Sequence, residues 1–373
     1  MSAGPKPKVL FFCPVPDFKG GAEVVLSDML RNPGIVPALA VPAEGAVASA
    51  ARREGVEVAI VPFGAVSEIR RPLRPRVIGE AMRDFYRAAA ALRRAARTLG
   101  ADVIHSNGMK AHSIAALARM TGSPPLVIHI HDLPVYRSEA AVWRTLARAA
   151  TQTIVVSRAC WPDASLPRNV TVVHNGFEPA VLNTTPAASP PLTIGFCGRL
   201  HPFKGVHLLP DWLAAARDAG IDARLIVRGE AAPEHASYVE AIRARVAALG
   251  LDDQVDFEGR REGLEAIFGG LHAVVVPSDT PDPLPRSVME AMGLGLPVIG
   301  YPAGGIPEMI AHGRNGWLVA DADGFVAAAR VLAAGGAPVE AIRGAALETV
   351  QRDLSLPVMY ERLDAIYARA LQR

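Results

Sequence analysis

The sequence predicts an α/β protein of two successive domains, each a doubly wound parallel sheet. Three observations carry that reading. Short apolar runs alternate with longer helical patterns along both halves of the chain, the βαβ rhythm of parallel sheets. A polar, proline-rich stretch, 183–191, breaks the rhythm once, and the same pattern restarts after it. The length, 373 residues, exceeds one ordinary domain and suits two of roughly 150–200.

The first domain is placed at 1–182, the linker at 183–191 and the second domain at 192–355. In the first, apolar runs predict strands at 9–13, 36–41, 56–61, 103–105, 126–131 and 153–156. A helix begins at 23–30, and a long Ala/Arg helix covers roughly 80–99. In the second, strands are expected at 192–197, 223–227, 255–257, 273–277 and 297–301, with helices between. The tail, 358–371, has helical periodicity with Met359, Leu363, Ile366, Tyr367 and Leu371 on one face, which needs a surface to cover.

Composition bounds the function. Half the residues are apolar and a fifth are charged, a globular balance, and the net charge of +2 gives no reason to invoke nucleic acid. Cys13, Cys160 and Cys197 form no C-x-x-C pair and read as buried thiols in a reducing compartment. The apolar run 9–13 is too short for a signal-peptide core, and no run approaches ~18 residues, so a cytoplasmic protein is expected. Lysine is rare. Lys204 is the last of five, after Lys6, Lys8, Lys19 and Lys110.

Ligands of open parallel sheets bind beyond the carboxyl ends of the strands, so the residues after each strand matter most. After the first strand stands Gly20-Gly21-Ala22-Glu23, where two glycines let backbone approach a ligand and a helix follows. A flexible turn explains these residues equally well. After the strand that restarts the pattern comes Gly198-Arg199-Leu200-His201-Pro202-Phe203-Lys204-Gly205. Arginine can grip two phosphate oxygens and lysine adds a point charge, which suits a diphosphate; a solvated basic turn is the plainer alternative.

The segment 274–292 is more specific. A buried strand runs into a proline-rich loop and then a helix. Pro285 suits a first helical turn, which would aim the N–H groups of Arg286 and Ser287 at an anion. Asp282 precedes Glu290 by eight, so two carboxylates can address opposite ends of one ligand. Gly304-Gly305-Ile306-Pro307-Glu308 follows a further strand, His131-Asp132 ends a strand of the first domain, and His174-Asn175-Gly176 closes that domain.

Together these motifs resemble the family-4 retaining glycosyltransferases of the GT-B fold, the glycosyl transferases of group 1. The likeness covers nearly the whole chain and is tightest in the second domain. It implies two Rossmann-like domains facing a central cleft, with 356–373 a C-terminal helix packing back on the first domain. It implies a bacterial enzyme of polysaccharide biosynthesis that moves a sugar from a UDP- or GDP-linked donor to a glycan, lipid-linked or small-molecule hydroxyl. By that resemblance Arg199 and Lys204 hold the donor diphosphate and Glu290 takes the ribose hydroxyls. Asp282 contacts the transferred sugar, His131 approaches its reacting carbon, and the Gly20–Gly21 loop closes on phosphates and acceptor. Arg286 and Ser287 complete the donor-binding set. No cofactor and no metal are implied, because side chains and helix N-termini neutralise the leaving group.

Two departures stand out. The family usually has Glu where this chain has Asp282, and glycine where it has Pro285, which shortens one reach and removes one backbone donor. Two rivals therefore stay open: a GT-B sugar-nucleotide epimerase or hydrolase, and a non-catalytic sugar-nucleotide-binding module. Base recognition is expected around 259–261. Between Arg70 and Arg97 nine arginines face two acids, Glu80 and Asp84, a local charge of +7. It reads either as a solvated helix face or as a peripheral contact with an anionic membrane at the inner face of the cell membrane.

Overall fold

The structure, a computed structural model, describes residues 5–18, 20–68, 75–134, 136–182 and 191–372, with backbone alone for 75–78. The chain divides into two units, Met1–Gly176 with Leu356–Arg373, and Phe177–Ser355. The expected linker lies outside the described residues except at Pro191.

The first unit runs β1 (Lys8–Phe12), α1 (Gly21–Leu30), β2 (Val36–Val41), α2 (Ala46–Arg53), β3 (Glu57–Ile60), α3 (Pro75–Thr98), β4 (Val103–Asn107), α4 (Met109–Met120), β5 (Leu126–Ile130), α5 (Arg137–Ala149), β6 (Gln152–Val155) and β7 (Val170–Val172). Its sheet has the order β3-β2-β1-β4-β5-β6-β7, and every pairing is parallel. The second unit runs β8 (Leu192–Cys197), α6 (Leu209–Asp218), β9 (Ala223–Arg228), α7 (Ala236–Ala248), β10 (Val255–Phe257), α8 (Leu264–Phe268), β11 (Ala273–Val276), α9 (Arg286–Gly293), β12 (Val298–Gly300), α10 (Ile306–Met309), β13 (Trp317–Leu318), α11 (Ala322–Ala334) and α12 (Ala337–Asp353). Its order is β10-β9-β8-β11-β12-β13, again all parallel.

Both orders reverse direction once, between β1 and β4 and between β8 and β11. The crevice at such a switch point is where an open α/β sheet binds ligand. Central strands buried on both faces need apolar runs; β11 is apolar throughout, β1 from Val9 on, and β8 buries Leu192 and Ile194–Cys197. Two short strands, β7 with three residues and β13 with two, were not read from the sequence; VTV and WL offer too little apolar run to stand out.

The tail forms α13 (Leu356–Leu371) and belongs to the first unit. Met359, Leu363, Ile366, Tyr367 and Ala370 join that unit's core with Val9, Phe11 and Leu39. Leu371 is 45% exposed, not buried as the periodicity suggested, because the covered stripe passes through Ala370 in the last turn. Phe177–Leu182 stand with the second unit. The Phe177 ring lies where a Cβ on Gly293 would be, 2.5 Å away, and its N–H donates to the Leu354 carbonyl at 2.8 Å. Among the described residues no single helix is long and apolar enough to cross a membrane.

Candidate functional site

In the second unit the loops after β8, β11 and β12 converge. The chain leaves β8 with the Gly198 N–H on the Arg228 carbonyl (3.0 Å) and the Leu200 N–H on the Glu230 carbonyl (2.9 Å). It turns through 202–204, where His201 Nδ1 accepts the Phe203 N–H at 3.2 Å. Gly205 then takes a left-handed φ of 67°, and a Cβ there would stand 1.8 Å from the Pro277 carbonyl oxygen. That close approach, open only to glycine, draws Lys204 to the end of β11. Lys204 Nζ pairs with Asp282 Oδ2.

Asp282 is clamped from a third side. The Gly305 N–H donates to its carbonyl at 2.8 Å, and a Cβ on Gly304, whose φ is 61°, would lie 2.1 Å from the same oxygen. The turn-forming glycines after β12 thus fix the height of the acid after β11. The lysine and the acid, read from the sequence as separate ligand contacts, share one ion pair at the switch point.

Pro285 is the N-cap of α9, one position before the first helical turn expected for it, and no side chain caps the helix. Arg286 and Ser287 hold the first two helical positions. The Arg286 side chain is committed within the helix, its Nε donating to Glu290 Oε1 at 2.9 Å, with both side chains 18% exposed. Arg199 is exposed and forms no ion pair among the described residues. Near the expected base-reading turn, Gly259 has a φ of 71°, and Glu258 accepts from Arg228 Nε at 2.9 Å. Burial pushes the Cys197 thiol up to about 12, with Arg228 pulling it down and Glu290 and Glu258 raising it. It stays protonated, a packing residue.

In the first unit the Gly20-Gly21 turn differs from the sequence reading in detail. Gly20 is extended, a conformation any residue adopts, and its N–H donates to Glu23 Oε2 at 2.7 Å. The start of α1 therefore already carries a carboxylate; Lys19 lies outside the described residues. His131 lies one residue past β5. Its Nε2 meets Asn107 Oδ1 at 3.0 Å, and its ring centre is 4.1 Å from that of His129. Burial pushes the His131 pKa down to about 4, so the ring is neutral at pH 7. Asp132 is pushed up by desolvation, then by Glu139 and Glu23. Asn107 and His129 escaped the sequence reading as site residues; the signal was there, polar residues toward the carboxyl ends of two fully buried strands.

Of the basic run, Arg70, Arg71 and Arg74 lie outside the described residues, and of Arg76 only the backbone is described. On α3, Arg83, Arg87, Arg94 and Arg97 are exposed. Asp84 is engaged, accepting the Ala65 N–H at 2.9 Å and pairing with Arg87 at 3.3 Å.

Two family descriptions match in tandem. Glycosyltransferase Family 4 covers residues 45–181, and Glycosyl transferases group 1 covers 191–334. Together they take in most of the chain. It belongs to the group 1 glycosyltransferases. The chain is 24% identical over 231 residues to the lipopolysaccharide core biosynthesis mannosyltransferase LpcC of Rhizobium leguminosarum bv. viciae, across 60% of this chain and 64% of that one. It is 32% identical over 130 residues to the D-inositol 3-phosphate glycosyltransferase of Corynebacterium efficiens, across 34% and 30%. The chain thus spans between about a third and just under two thirds of the length of these curated relatives. Among solved structures, Anabaena Alr3699/HepE in complex with UDP superposes with a TM-score of 0.79 at 24% identity, over 95% of this chain and 98% of that one. That likeness establishes the GT-B fold.

Proposed function

We propose that this chain moves a hexosyl group from a nucleoside-diphosphate sugar to an acceptor hydroxyl, with retention of anomeric configuration and no divalent metal. The observation that carries the reading is the Lys204–Asp282 pair at the β8/β11 switch point, beside the uncapped start of α9. When the glycosidic bond to phosphate breaks, its electron pair and negative charge pass to the diphosphate. An ammonium has three N–H donors, and Asp282 uses one, so Lys204 keeps two for phosphate oxygens. Arg199 adds an exposed bidentate fork, and the α9 N-terminus adds its partial positive charge. Asp282 keeps Oδ1 for a sugar hydroxyl, and Glu290 is assigned to the ribose. The acceptor oxygen bonds to the anomeric carbon on the face the phosphate leaves, and the departing phosphate oxygen takes the acceptor's proton. His131, on the first unit, is assigned to the transferred sugar.

The UDP and UDP-glucose complexes of the Anabaena protein make UDP the first nucleotide to test. Glycan-building relatives such as LpcC support a glycan or lipid-linked acceptor. Donor turnover with and without acceptors decides the reading. Transfer supports it; hydrolysis or epimerisation alone, or binding without turnover, overturns it.

Two carboxylate variants test the division of labour. Glu290→Gln is expected to weaken bare UDP about tenfold or more, since hydrogen bonds to a charged group contribute roughly 1.5–3 kcal/mol. Asp282→Asn is expected to bind bare UDP as tightly as wild type or tighter, because an acid competing for Lys204 has been neutralised. Calorimetry on both variants checks this, and equal weakening would contradict it.

The acceptor side carries a second proposal, docking on an anionic membrane surface through α3. Met82 and Tyr86, one helical turn apart, are 52% and 59% exposed beside Arg83 and Arg87. Apolar groups flanked by arginines suit the bilayer interface, where each basic residue contributes about 1 kcal/mol. Wild type is expected to co-sediment with anionic vesicles at low salt and a Met82→Ser/Arg83→Ser/Tyr86→Ser/Arg87→Ser variant to stay in solution. Wild type remaining in the supernatant would leave α3 a solvated face.

A further inference from the structure

The ends of β4 and β5 carry polar residues on a face that a parallel sheet ordinarily fills with Val, Ile or Leu. His105 and Asn107 alternate along β4, and His129 lies on β5 with His131 just past it. His105, Asn107 and His129 are 0%, 4% and 1% exposed. The rings form a row. Tyr367 Oη of α13 lies 2.8 Å from His105 Nδ1, and His105 Nε2 lies 3.1 Å from His129 Nδ1. His129 stacks on His131, whose Nε2 meets Asn107 Oδ1. Two atoms of this cluster, Asn107 Nδ2 and His129 Nε2, are buried without a partner. Such orphans are costly, and an apolar pair at these positions would avoid them. Packing therefore does not account for these residue types.

The Asn107–His131 contact has a chemical consequence. An amide oxygen only accepts, so the proton of this contact sits on His131 Nε2. A neutral imidazole has a single N–H, which leaves Nδ1 a bare acceptor. Nδ1 has no partner among the described residues, and His131 is only part-buried, which leaves Nδ1 available to accept from a ligand.

We propose that Asn107 is the positioning residue of His131, fixing the Nε2–H tautomer so that Nδ1 accepts a hydrogen bond from a hydroxyl of the transferred sugar. The proposal rests on the assignment of His131 to the sugar. A hydroxyl that donates to a neutral imidazole gains electron density on its oxygen, which favours the positive charge that develops on the sugar ring as the diphosphate leaves. Nothing is gained from a protonated ring, which could only donate. Desolvation alone lowers His131, which in turn helps to lower the neighbouring His105, His112 and His129; Asp132 is adjacent in sequence.

The test uses the full chain with 15N-labelled histidine. Long-range proton–nitrogen spectra distinguish the two tautomers, and His131→Gln identifies the His131 signals by their loss. Wild type is expected to show the Nε2–H pattern at His131. Asn107→Leu, which removes the acceptor at similar size, is expected to lose it and to lower kcat about tenfold with the donor KM little changed. Asn107→Asp keeps an acceptor and is expected to keep the tautomer, raise the pH at which His131 titrates, and retain more turnover than Asn107→Leu. An Nδ1–H tautomer in wild type overturns the proposal, as does an unchanged tautomer with unchanged kcat in Asn107→Leu. If Asn107→Leu fails to fold, Asn107→Asp decides, and an unmoved His131 titration there overturns it. Wild-type turnover in His131→Gln would instead refute the sugar assignment, whereas the tautomer spectra judge Asn107 independently of turnover.

Discussion

Lys204→Ala is expected to lower kcat/KM for the nucleotide sugar by more than about a hundredfold, and the double variant Lys204→Ala/Asp282→Ala to recover part of that loss. Two losses add in the single variant. The first is a charge-assisted grip on phosphate, roughly 1.5–3 kcal/mol. The second comes from the partner left behind. Asp282, with a side chain 12% exposed, would face an anionic diphosphate without its cation. Removing one member of a largely buried pair costs more than removing both, because the remaining charge is uncompensated. The 26% exposure of Lys204 lets solvent screen part of this, so a total of about 3–4 kcal/mol, or roughly 100- to 1,000-fold, is expected. Steady-state kinetics and UDP calorimetry on both single variants and the double complete a thermodynamic cycle. Near-wild-type kinetics in Lys204→Ala would refute the phosphate role, and strict additivity would refute the coupling. Salt should narrow the difference, since the repulsion left in the single variant is screened.

Lys204 was legible because lysine is rare in this arginine-rich chain and it stands six residues past Gly198, the glycine that follows a strand. Asp282 and Glu290 were legible by spacing. The pairing of Lys204 with Asp282 was not, because the two are 78 residues apart and meet only through a strand order that puts β8 beside β11. The same holds for Gly304, which reads as a turn residue until its backbone is seen against Asp282. Short-range chemistry was also missed where two readings share one residue. Pro285 serves equally as a cap and as a first-turn residue. Glu23 could face a ligand or reach back to the Gly20 N–H, and it reaches back. Tyr367 was counted for its apolar face, correctly, but its hydroxyl carries the contact to His105. Periodicity reports which side of a helix is covered; it is silent on which polar atom at the end of a buried side chain has a partner. The polar face of β4 and β5 was hidden for a related reason. His129 and His131 appear in the sequence inside an apolar run, and only the register Asn107↔His129 shows that one face of two neighbouring strands is polar.

That polar face makes stability depend on acid, and lowering the pH from 8 to 5 is expected to cost about 4 kcal/mol of folding free energy through His112 and His131 alone. Burial pushes the pKa of His131 down to about 4 and that of His112, whose Nδ1 lies 2.8 Å from Ser106 Oγ, down to about 3. In the unfolded chain both titrate near 6.5. Between 6.5 and the folded values the unfolded state binds a proton that the folded state refuses, so stability is full above pH 6.5 and falls as the pH drops. At pH 5 each group lies about 1.5 units below its unfolded pKa, which at ~1.36 kcal/mol per unit is about 2 kcal/mol. His105 and His129 are lowered by burial as well, then by neighbouring histidines, and act in the same direction. Asp132 and Asp364 oppose the trend. Desolvation raises both, so their folded forms take up protons before the unfolded ones do. Guanidinium unfolding of wild type and His112→Gln at pH 8, 6.5 and 5, with amide exchange to follow the first unit separately, measures the slope. Wild type should lose stability steeply below pH 6.5, and the variant should lose it less steeply by about one proton. A flat profile from pH 8 to 5 would mean that these rings charge inside the folded unit, and the neutral imidazole assigned to His131 would then be wrong.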